Sequence, residues 1–253
     1  MLKLSTLALL FAFNAAAHAE WKVLLADSEP GRAGIEHRHV TLEETAAARR
    51  ADMDLAVFSD RSCTLRVIDN PDGETLAAST KREKCVCGVN GGYFDENFAP
   101  IGLRIDNERT IAPLRRARLI TGVLLASSSG VHIVRANEFS ARHKIAAAIQ
   151  CGPFLVDSSQ RVRGLNPSAA ARRTFAATVA GGRTLLGVCS EISLAQLADM
   201  LAKTPVAGDL KIQRAMNFDG GSSSAFWFAR ENGSAFSVPE QKRVRDFVAV
   251  VPK

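Results

Sequence analysis

Short apolar runs separated by polar or glycine-rich turns dominate the chain, which is the pattern of a protein built mainly from strands. Single strands are predicted at 21–25, 54–59, 64–69, 86–90, 102–106, 154–157, 215–218 and 246–251. Two pairs of runs are joined by turn-forming residues and predict hairpins, at 119–126 with 131–135 and at 174–180 with 184–189.

One segment has a clear helical period instead. Ser193 can cap a helix and Gln196 can close a capping box, and the helix should end before Thr204 and Pro205. One face would carry Leu194, Leu197, Ala198 and Leu201. The Ala-rich, charged segment 43–51 is either a short helix or a surface loop. Many strands with few helices predict an α+β fold, with a largely antiparallel or mixed sheet in a single domain.

The first residues differ from the rest of the chain. Lys3 precedes a short apolar run, and Ala17-His18-Ala19 forms a small-x-small cleavage signal before Glu20. Residues 1–19 therefore predict a secretory signal peptide, and residues 20–253 the mature domain. We expect a periplasmic or secreted protein, with no transmembrane segment after cleavage because no later apolar run is long enough.

Composition narrows the range of functions. The 253 residues are 47% hydrophobic and 23% charged, which suits a globular domain, and the formal net charge is +6. The basic residues are spread along the chain without an interleaved aromatic stripe, so we do not expect a nucleic-acid partner. A mild positive field favours an anionic substrate, although it can equally serve solubility.

Five cysteines follow the signal segment, namely Cys63, Cys85, Cys87, Cys151 and Cys189. An odd number leaves at least one thiol unpaired, and an exported protein can form disulfides. Cys85 and Cys87 cannot easily bridge each other within one strand. We therefore expect Cys63 to pair with one of them, while a zinc site lacks the usual ligand spacing.

Candidate chemistry lies in four polar turns, each at the end of an apolar run. They are residues 90–95 (NGGYFD), 150–153 (QCGP), 172–174 (RRT) and 219–222 (DGGS). Paired glycines leave main-chain N–H groups uncovered, so such turns can bind anions. Taken singly, each turn is more often a simple hairpin connection. Their combination is what points to a site.

Together these motifs resemble the phosphodiester glycosidase domain. Asn90-Gly91-Gly92-Tyr93-Phe94, Gly152-Pro153, Arg173-Thr174 and residues 217–223 (NFDGGSS) occur in the order and spacing of that family. The resemblance covers residues 86–253. It implies an exported hydrolase that cleaves a sugar-1-phosphodiester on the glycosidic side, releasing free sugar and a phosphomonoester. A sugar-phosphate or phosphoglycan would be its partner.

The resemblance also implies roles for single residues. Asp219 is the first candidate for the carboxylate near the anomeric carbon, with Glu191 and Asp95 as candidates for the second carboxylate of a glycoside hydrolase. Arg173 would clamp the phosphate. Hydrogen bonds to phosphate or sugar are expected from Asn90, Gly91, Gly92, Thr174, Gly220, Gly221, Ser222 and Ser223.

Several alternatives stay open at the level of sequence. Arg173 can pair with a surface acid, Asp219 can cap its own turn, Glu191 can favour the start of the helix, and Asp95 can be a loop residue. A non-catalytic protein that binds glycans or sugar phosphates would carry the same motifs. A serine hydrolase using Ser222, Ser223 or Ser224 lacks the required motif and a histidine partner. The sequence identifies no particular cofactor, although a divalent cation beside Asp219 would suit carboxylate ligands.

Overall fold

The computed structural model describes residues 20–46, 48–141 and 144–253. The predicted signal peptide lies outside the described residues. Within them, no helix is long and apolar enough to cross a membrane.

Eighteen strands and two α-helices make up the described residues. The strands are β1 (Trp21–Pro30), β2 (Glu36–Glu44), β3 (Arg49–Ser59), β4 (Cys63–Asp69), β5 (Cys87–Asn90), β6 (Arg104–Asp106), β7 (Arg109–Ala112), β8 (Gly122–Ser127), β9 (Gly130–Arg135), β10 (Ile145–Cys151), β11 (Phe154–Asp157), β12 (Gln160–Arg161), β13 (Ala171–Val179), β14 (Arg183–Ile192), β15 (Ile212–Asn217), β16 (Phe226–Ala229), β17 (Ala235–Val238) and β18 (Asp246–Pro252). The helices are α1 (Leu76–Arg82) and α2 (Leu194–Lys203), and short 3-10 turns lie at Arg32–Gly34 and Gly221–Ser223.

The strands form three sheets. Sheet I has the order β1-β2-β3-β14-β13-β15-β11-β12, sheet II the order β17-β16-β5-β18-β4, and sheet III the order β7-β6-β10-β8-β9. Every strand pair among the described residues is antiparallel. The predicted α+β class with a largely antiparallel sheet is therefore confirmed. Both predicted hairpins form, as β8–β9 and β13–β14.

The main hydrophobic core lies among the three sheets. It combines Phe58 and Leu186 of sheet I, Val89 and Phe226 of sheet II, and Ile149 of sheet III, all at most 1% exposed. Second clusters cover the outer faces, where α2 packs on sheet I and α1 on sheet II. Burial alternates along β4, as its apolar residues do in the sequence, whereas β5 and β16 are buried along their whole length.

Helix α2 begins where the sequence predicts. The Ser193 side chain accepts from the Gln196 N–H and the Gln196 side chain accepts from the Ser193 N–H, which is a complete capping box. Helix α1 was not predicted, because only seven residues follow its cap at Thr75. Segment 43–51 is neither a helix nor a loop alone. Its ends are strand, since Glu44 pairs with Arg49 in the β2–β3 hairpin.

The expected disulfide between Cys63 and Cys85 or Cys87 is wrong, because all five cysteines are free and buried. Strand β18 lies between β4, which carries Cys63, and β5, which carries Cys87. Two strand spacings separate such residues by about 9–10 Å, beyond the reach of a disulfide. Burial raises the pKa of the Cys85 thiol to about 12, so these cysteines are inert core residues.

Candidate active site

The end of β15 joins three turns that are far apart in sequence. Main-chain N–H groups of residues 217–219 donate successive hydrogen bonds to the carbonyl oxygens of Pro153 (3.0 Å), Thr174 (2.8 Å) and Gly91 (3.1 Å). All four predicted polar turns therefore meet at one place, between the ends of strands from all three sheets.

The buried side chain of Asn90 holds these turns together by hydrogen bonds. Its Nδ2 donates to the main-chain oxygen of Asp219 at 2.8 Å. Its Oδ1 accepts from the Thr174 hydroxyl at 2.6 Å and from the Ala225 N–H at 3.0 Å. The side chain is fully buried. Asn90 and Thr174 thus hold the Asp219 turn in position, and the contact of Asn90 with a sugar stays a prediction.

Asp219 presents a partly buried carboxylate held by its own turn. Oδ1 accepts from the Gly220 N–H at 2.9 Å and Oδ2 from the Ser223 hydroxyl at 2.5 Å. Burial raises the pKa of Asp219 above its ordinary value. The Ser223 hydroxyl, the cation of Lys242 and the Gly220 N–H each offset part of that rise. The group is therefore a stronger proton acceptor than an exposed aspartate.

The turn after Asp219 exposes main-chain donors. Gly221 adopts a φ of 63°, which opens the 3-10 turn Gly221–Ser223. Gly220 lies so close to Arg172 that a Cβ there would be 2.9 Å from the Arg172 carbonyl oxygen. Within the described residues, the N–H groups of Gly221 and Ser222 have no hydrogen-bond partner. Such donors can bind an anionic or hydroxyl-bearing ligand.

Gly91 and Gly92 serve a different purpose from the expected open nest. Gly91 N–H donates to the main-chain oxygen of Asp246 and Gly92 N–H to its Oδ1, both at 2.8 Å. A Cβ at Gly91 would lie 1.9 Å from that carboxylate, and one at Gly92 would lie 2.0 Å from an Arg104 nitrogen. The expectation that these two N–H groups are exposed to ligand is wrong, because a buried ion pair uses the space and the donors.

That ion pair is Arg104 with Asp246, joined at 2.7 Å with both side chains 1% exposed. The guanidinium also donates to the carbonyl oxygens of Leu103 (2.9 Å), Gln150 (3.1 Å) and Tyr93 (3.3 Å). A buried pair is stable only when its remaining donors are satisfied in this way. It joins sheets II and III directly beneath the site.

Arg173 reaches the same region from β13. Its Nε donates to the Ile192 carbonyl at 2.9 Å and its Nη2 to the Ala169 carbonyl. Nη1 lies 3.8 Å from the position of a Cβ on Gly220, so it is next to the Asp219 turn. Burial lowers the pKa of Arg173. No carboxylate among the described residues forms an ion pair with it, which leaves a half-buried cation for an anionic ligand.

The two candidates for a second carboxylate do not join the cluster. Asp95 is exposed and its Oδ1 accepts from the Asn97 and Ala99 N–H groups, both at 2.9 Å, so it organises its own loop. Glu191 is exposed on β14 and makes no hydrogen bond to the cluster. Their catalytic role stays a prediction. The second carboxylate that does act on Asp219 is Asp246, which is locked in its ion pair.

Three further groups complete the site, and sequence reasoning gave them no role in it. The Tyr93 hydroxyl donates to the Gly152 carbonyl at 2.8 Å, and Asn217 Nδ2 lies 3.4 Å from that hydroxyl. Asn217 is 2% exposed, and its Oδ1 has no partner among the described residues. Lys242 lies with Nζ 5.0 Å from the centre of the Phe94 ring. No local pattern marks Lys242, because its neighbours come from distant turns.

No metal centre is evident in residues 20–46, 48–141 and 144–253. They contain no group of three or more His, Cys, Asp or Glu side chains that could hold a metal ion. The two histidines of β2 instead bind carboxylates. His37 Nδ1 lies 2.8 Å from Glu29 and its Nε2 lies 3.0 Å from Asp54, while His39 Nδ1 lies 3.0 Å from Asp54.

Comparison with known proteins places these features in a family. The family model for phosphodiester glycosidase matches residues 83–251, about two thirds of the chain. The uncharacterized protein YigE of Escherichia coli (strain K12) is 30% identical over 105 residues. That alignment covers 39% of this chain and 41% of YigE, less than half the length of either protein.

Solved structures show the same fold. A hypothetical protein from Synechocystis has a TM-score of 0.63 at 14% identity, over 90% of this chain and 64% of that one. The catalytic domain of zebrafish N-acetylglucosamine-1-phosphodiester α-N-acetylglucosaminidase, auto-inhibited by its pro-peptide, has a TM-score of 0.61 at 16% identity. It covers 95% of this chain and 85% of that one. A putative exported protein from Burkholderia pseudomallei has a TM-score of 0.57 at 13% identity, over 81% and 75% of the two chains.

Proposed function

Because the chain belongs to the phosphodiester glycosidase family, we propose that it hydrolyses a sugar-1-phosphodiester on the glycosidic side. The products are a free sugar and a phosphomonoester. Two neighbouring groups carry the proposal. The Asp219 carboxyl has a raised pKa, and the guanidinium of Arg173 next to it forms no ion pair among the described residues. An anionic substrate with a reactive carbon next to its phosphate satisfies both groups.

Binding of the phosphate uses the positive side of the site. Arg173 Nη1 and the open N–H groups of Gly221 and Ser222 lie around the same turn. A guanidinium and main-chain donors bind phosphate oxygens with charge-assisted hydrogen bonds. Lys242, whose charge acts on Asp219, adds a second cation. These groups neutralise charge on the leaving phosphate, which grows as the glycosidic bond breaks.

Asp219 acts on the sugar side as a general base. Its raised pKa favours taking a proton from water. The water oxygen forms a bond to the anomeric carbon, the bond from that carbon to the phosphate oxygen breaks, and its electron pair leaves with the phosphate. The proton of the water passes to Asp219 Oδ and then to solvent. Phosphate is a good leaving group, so no protonated carboxylic acid is needed on that side.

Turnover and stereochemistry test this proposal. Incubation with an α-linked N-acetylglucosamine-1-phosphate methyl ester should release reducing sugar, and Asp219→Asn should lose at least about a hundredfold in kcat. A single displacement by water inverts the anomeric centre, which proton NMR of the first product reads directly. Retention would instead make Asp219 a nucleophile, and an active Asp219→Asn variant would remove the assignment altogether.

One observation favours a second function, that of a sugar-phosphate-binding protein without turnover. Neither Asp95 nor Glu191 hydrogen-bonds to the cluster, so the described site offers one free carboxylate rather than two. Calorimetric binding of the same ester with no sugar release over many hours would support this alternative.

Export is a separate proposal that rests on the composition of residues 1–19. Expression of the full chain in a Gram-negative host should give a periplasmic product that begins at Glu20. N-terminal sequencing of the fractionated protein measures this, and an uncleaved product in the cytosol would contradict it.

A further inference from the structure

An exposed segment next to the site combines positive charge with apolar side chains. This basic arm, residues 113–119 (PLRRARL), has no regular secondary structure and connects β7 to the start of β8. Arg115, Arg116 and Arg118 are exposed, and none forms an ion pair with a carboxylate in the described part of the chain. Three like charges without counter-charges favour binding of an anion.

The arm is held in place by one buried side chain. Gln150, with no exposed surface, accepts from the Arg115 N–H at 3.0 Å and donates from Nε2 to the carbonyl oxygens of Arg115 (2.6 Å) and Ile120 (3.0 Å). Its Oε1 also accepts from the Leu103 N–H at 3.1 Å. The amide group of Gln150 uses all its donors and acceptors and fixes both ends of the arm. The exposed face of the arm is therefore held in a defined position.

The arm also exposes large apolar side chains. Four large hydrophobic residues are exposed in the described residues, and two of them, Leu114 (39%) and Leu119 (65%), lie in these seven positions. The other two, Leu24 (49%) and Leu25 (51%), lie on β1. Exposed apolar groups beside cations suit a ligand that carries both a negative charge and an apolar chain.

A cavity of about 670 Å³ opens beneath the arm. Its apolar wall contains Leu114, Ala117, Ile120 and Phe139. Its polar wall contains Arg115, Arg116 and Arg135, of which only Arg135 is paired, with Asp157 at 2.7 Å. A volume of this size is in the range of small-molecule sites.

The arm touches the candidate active site through Gly152. A Cβ on Gly152 would lie 2.3 Å from the Leu119 carbonyl oxygen, so the two main chains are in contact. The Gly152 carbonyl accepts from the Tyr93 hydroxyl at 2.8 Å and from Asn217 Nδ2 at 3.3 Å. Gly152 therefore links the main chain of the arm to Asn217, two positions before Asp219.

We propose that the basic arm and its cavity bind an apolar chain on the leaving group, so that the substrate is an amphiphilic sugar-1-phosphodiester. This inference rests on the proposed function, because it assigns the leaving-group side of that reaction. The phosphate sits at Arg173, the chain runs past Gly152 into the cavity beneath Leu114, and the arm arginines attract the anion. Short polar leaving groups leave the cavity unused.

A homologous series of esters tests the proposal. We expect kcat/KM for sugar-1-phosphate alkyl esters, used below their micellar concentrations, to rise at least about tenfold from methyl to octyl, because added methylenes are buried. Leu114→Ser/Leu119→Ser should abolish the rise and leave the methyl ester unchanged. Leu24→Ser/Leu25→Ser, the matched control, should keep the rise. No chain-length dependence in the wild type, or an equal loss in the control, would overturn it.

Binding of octyl phosphate separates this proposal from the proposed function. Calorimetry should show tighter binding of octyl phosphate than of inorganic phosphate, lost in the Leu114→Ser/Leu119→Ser variant, whether or not any ester is hydrolysed. Binding without turnover would reject the hydrolase and keep the arm. Turnover of the methyl ester, with octyl phosphate bound no better than inorganic phosphate, would reject the arm and keep the hydrolase.

Two further comparisons test the charge of the arm and whether the apolar chain belongs to a monomeric ligand or to a membrane. Arg116→Gln/Arg118→Gln should weaken octyl phosphate binding by about tenfold at low salt and less at high salt. Arg49→Gln/Arg61→Gln changes two exposed arginines that form no ion pair with the part of the chain that the structure describes, and should not weaken binding. Vesicles of phosphatidylglycerol and phosphatidylcholine supply the competing source. Arm-dependent sedimentation with vesicles, together with no binding of monomeric octyl phosphate, would make the arm a membrane contact and overturn the proposal.

Discussion

The side-chain amide of Asn90 donates a 2.8 Å hydrogen bond to the main-chain oxygen of Asp219, which lies 129 positions further along the chain. The bond joins the end of β5 in sheet II to the end of β15 in sheet I. Because the same amide also accepts from Thr174 and Ala225, one buried residue sets the position of the whole turn. Buried hydrogen bonds therefore fix the Asp219 turn against the ends of strands from two sheets.

Replacing Asn90 tests this positioning role. Asn90→Ala leaves a buried hydroxyl, N–H and carbonyl without partners, so we expect the free energy of unfolding to fall by about 2–4 kcal/mol. The kcat should fall more than the affinity, because the Asp219 turn loses its anchor while Arg173 is unchanged. Urea denaturation and steady-state kinetics measure the two effects. Asn232→Ala, in an exposed turn, is the control, and full activity of Asn90→Ala would contradict the role.

Arg173 should resist conservative replacement. Two of its nitrogens hold the carbonyl oxygens of Ile192 and Ala169, which leaves Nη1 for the ligand. The single ammonium of Arg173→Lys cannot do both, so we expect KM to rise about tenfold to a hundredfold with a smaller change in kcat. Arg183→Lys, an exposed change on the same hairpin, should behave as wild type. An unchanged KM in Arg173→Lys would show that the guanidinium is only structural.

Lys242 should control the pH dependence of the proposed hydrolysis. Its charge lowers the pKa of Asp219 against the larger effect of burial, which raises it. Lys242→Met should therefore raise that pKa further and move the acidic limb of the kcat/KM profile to higher pH. A pH series of initial rates measures the shift. Lys211→Met, exposed and distant in sequence, is the control. An acidic limb that does not move in Lys242→Met would show that Lys242 has no effect on the pKa of Asp219.

The buried pair of Arg104 and Asp246 should be costly to break. Arg104→Met leaves an uncompensated carboxylate beneath Gly91 and Gly92, and we expect a loss of about 3–5 kcal/mol in the free energy of unfolding. The double variant Arg104→Met/Asp246→Leu should recover part of that loss, because no charge is left buried. Denaturant titrations of both variants give the comparison. Equal stability of the single and double variants would argue against a buried charge.

His37 should make stability depend on pH. Burial lowers its pKa, but hydrogen bonds to Asp54 and Glu29 outweigh that effect and raise the pKa above its ordinary value. A raised folded-state pKa stabilises the protein below pH 6.5, and this stabilisation is lost as pH rises through the folded pKa. Thermal unfolding across that range should show the decrease. His37→Gln should flatten it, whereas His132→Gln, exposed on β9, should not.

The sequence by itself determined the features that depend on near neighbours. The capping box of α2, the β8–β9 and β13–β14 hairpins, and the family motifs all follow from residues a few positions apart. Caps, turns and alternation are local hydrogen-bonding and burial patterns, which is why they could be predicted. The convergence of Asp219, Arg173 and Asn90 was predicted from the family motifs rather than from such patterns.

Only the tertiary structure decided which groups are open to a ligand. Two pairs of glycines have similar local sequence, yet Gly91 and Gly92 give their N–H groups to Asp246, while the N–H group of Gly221 has no partner among the described residues. The placement of Lys242 beside Asp219 and the separation of Cys63 from Cys87 by β18 were likewise invisible in the sequence. Burial, charge and donor availability are set by residues that come from other turns and strands of the chain, so no local pattern encodes them.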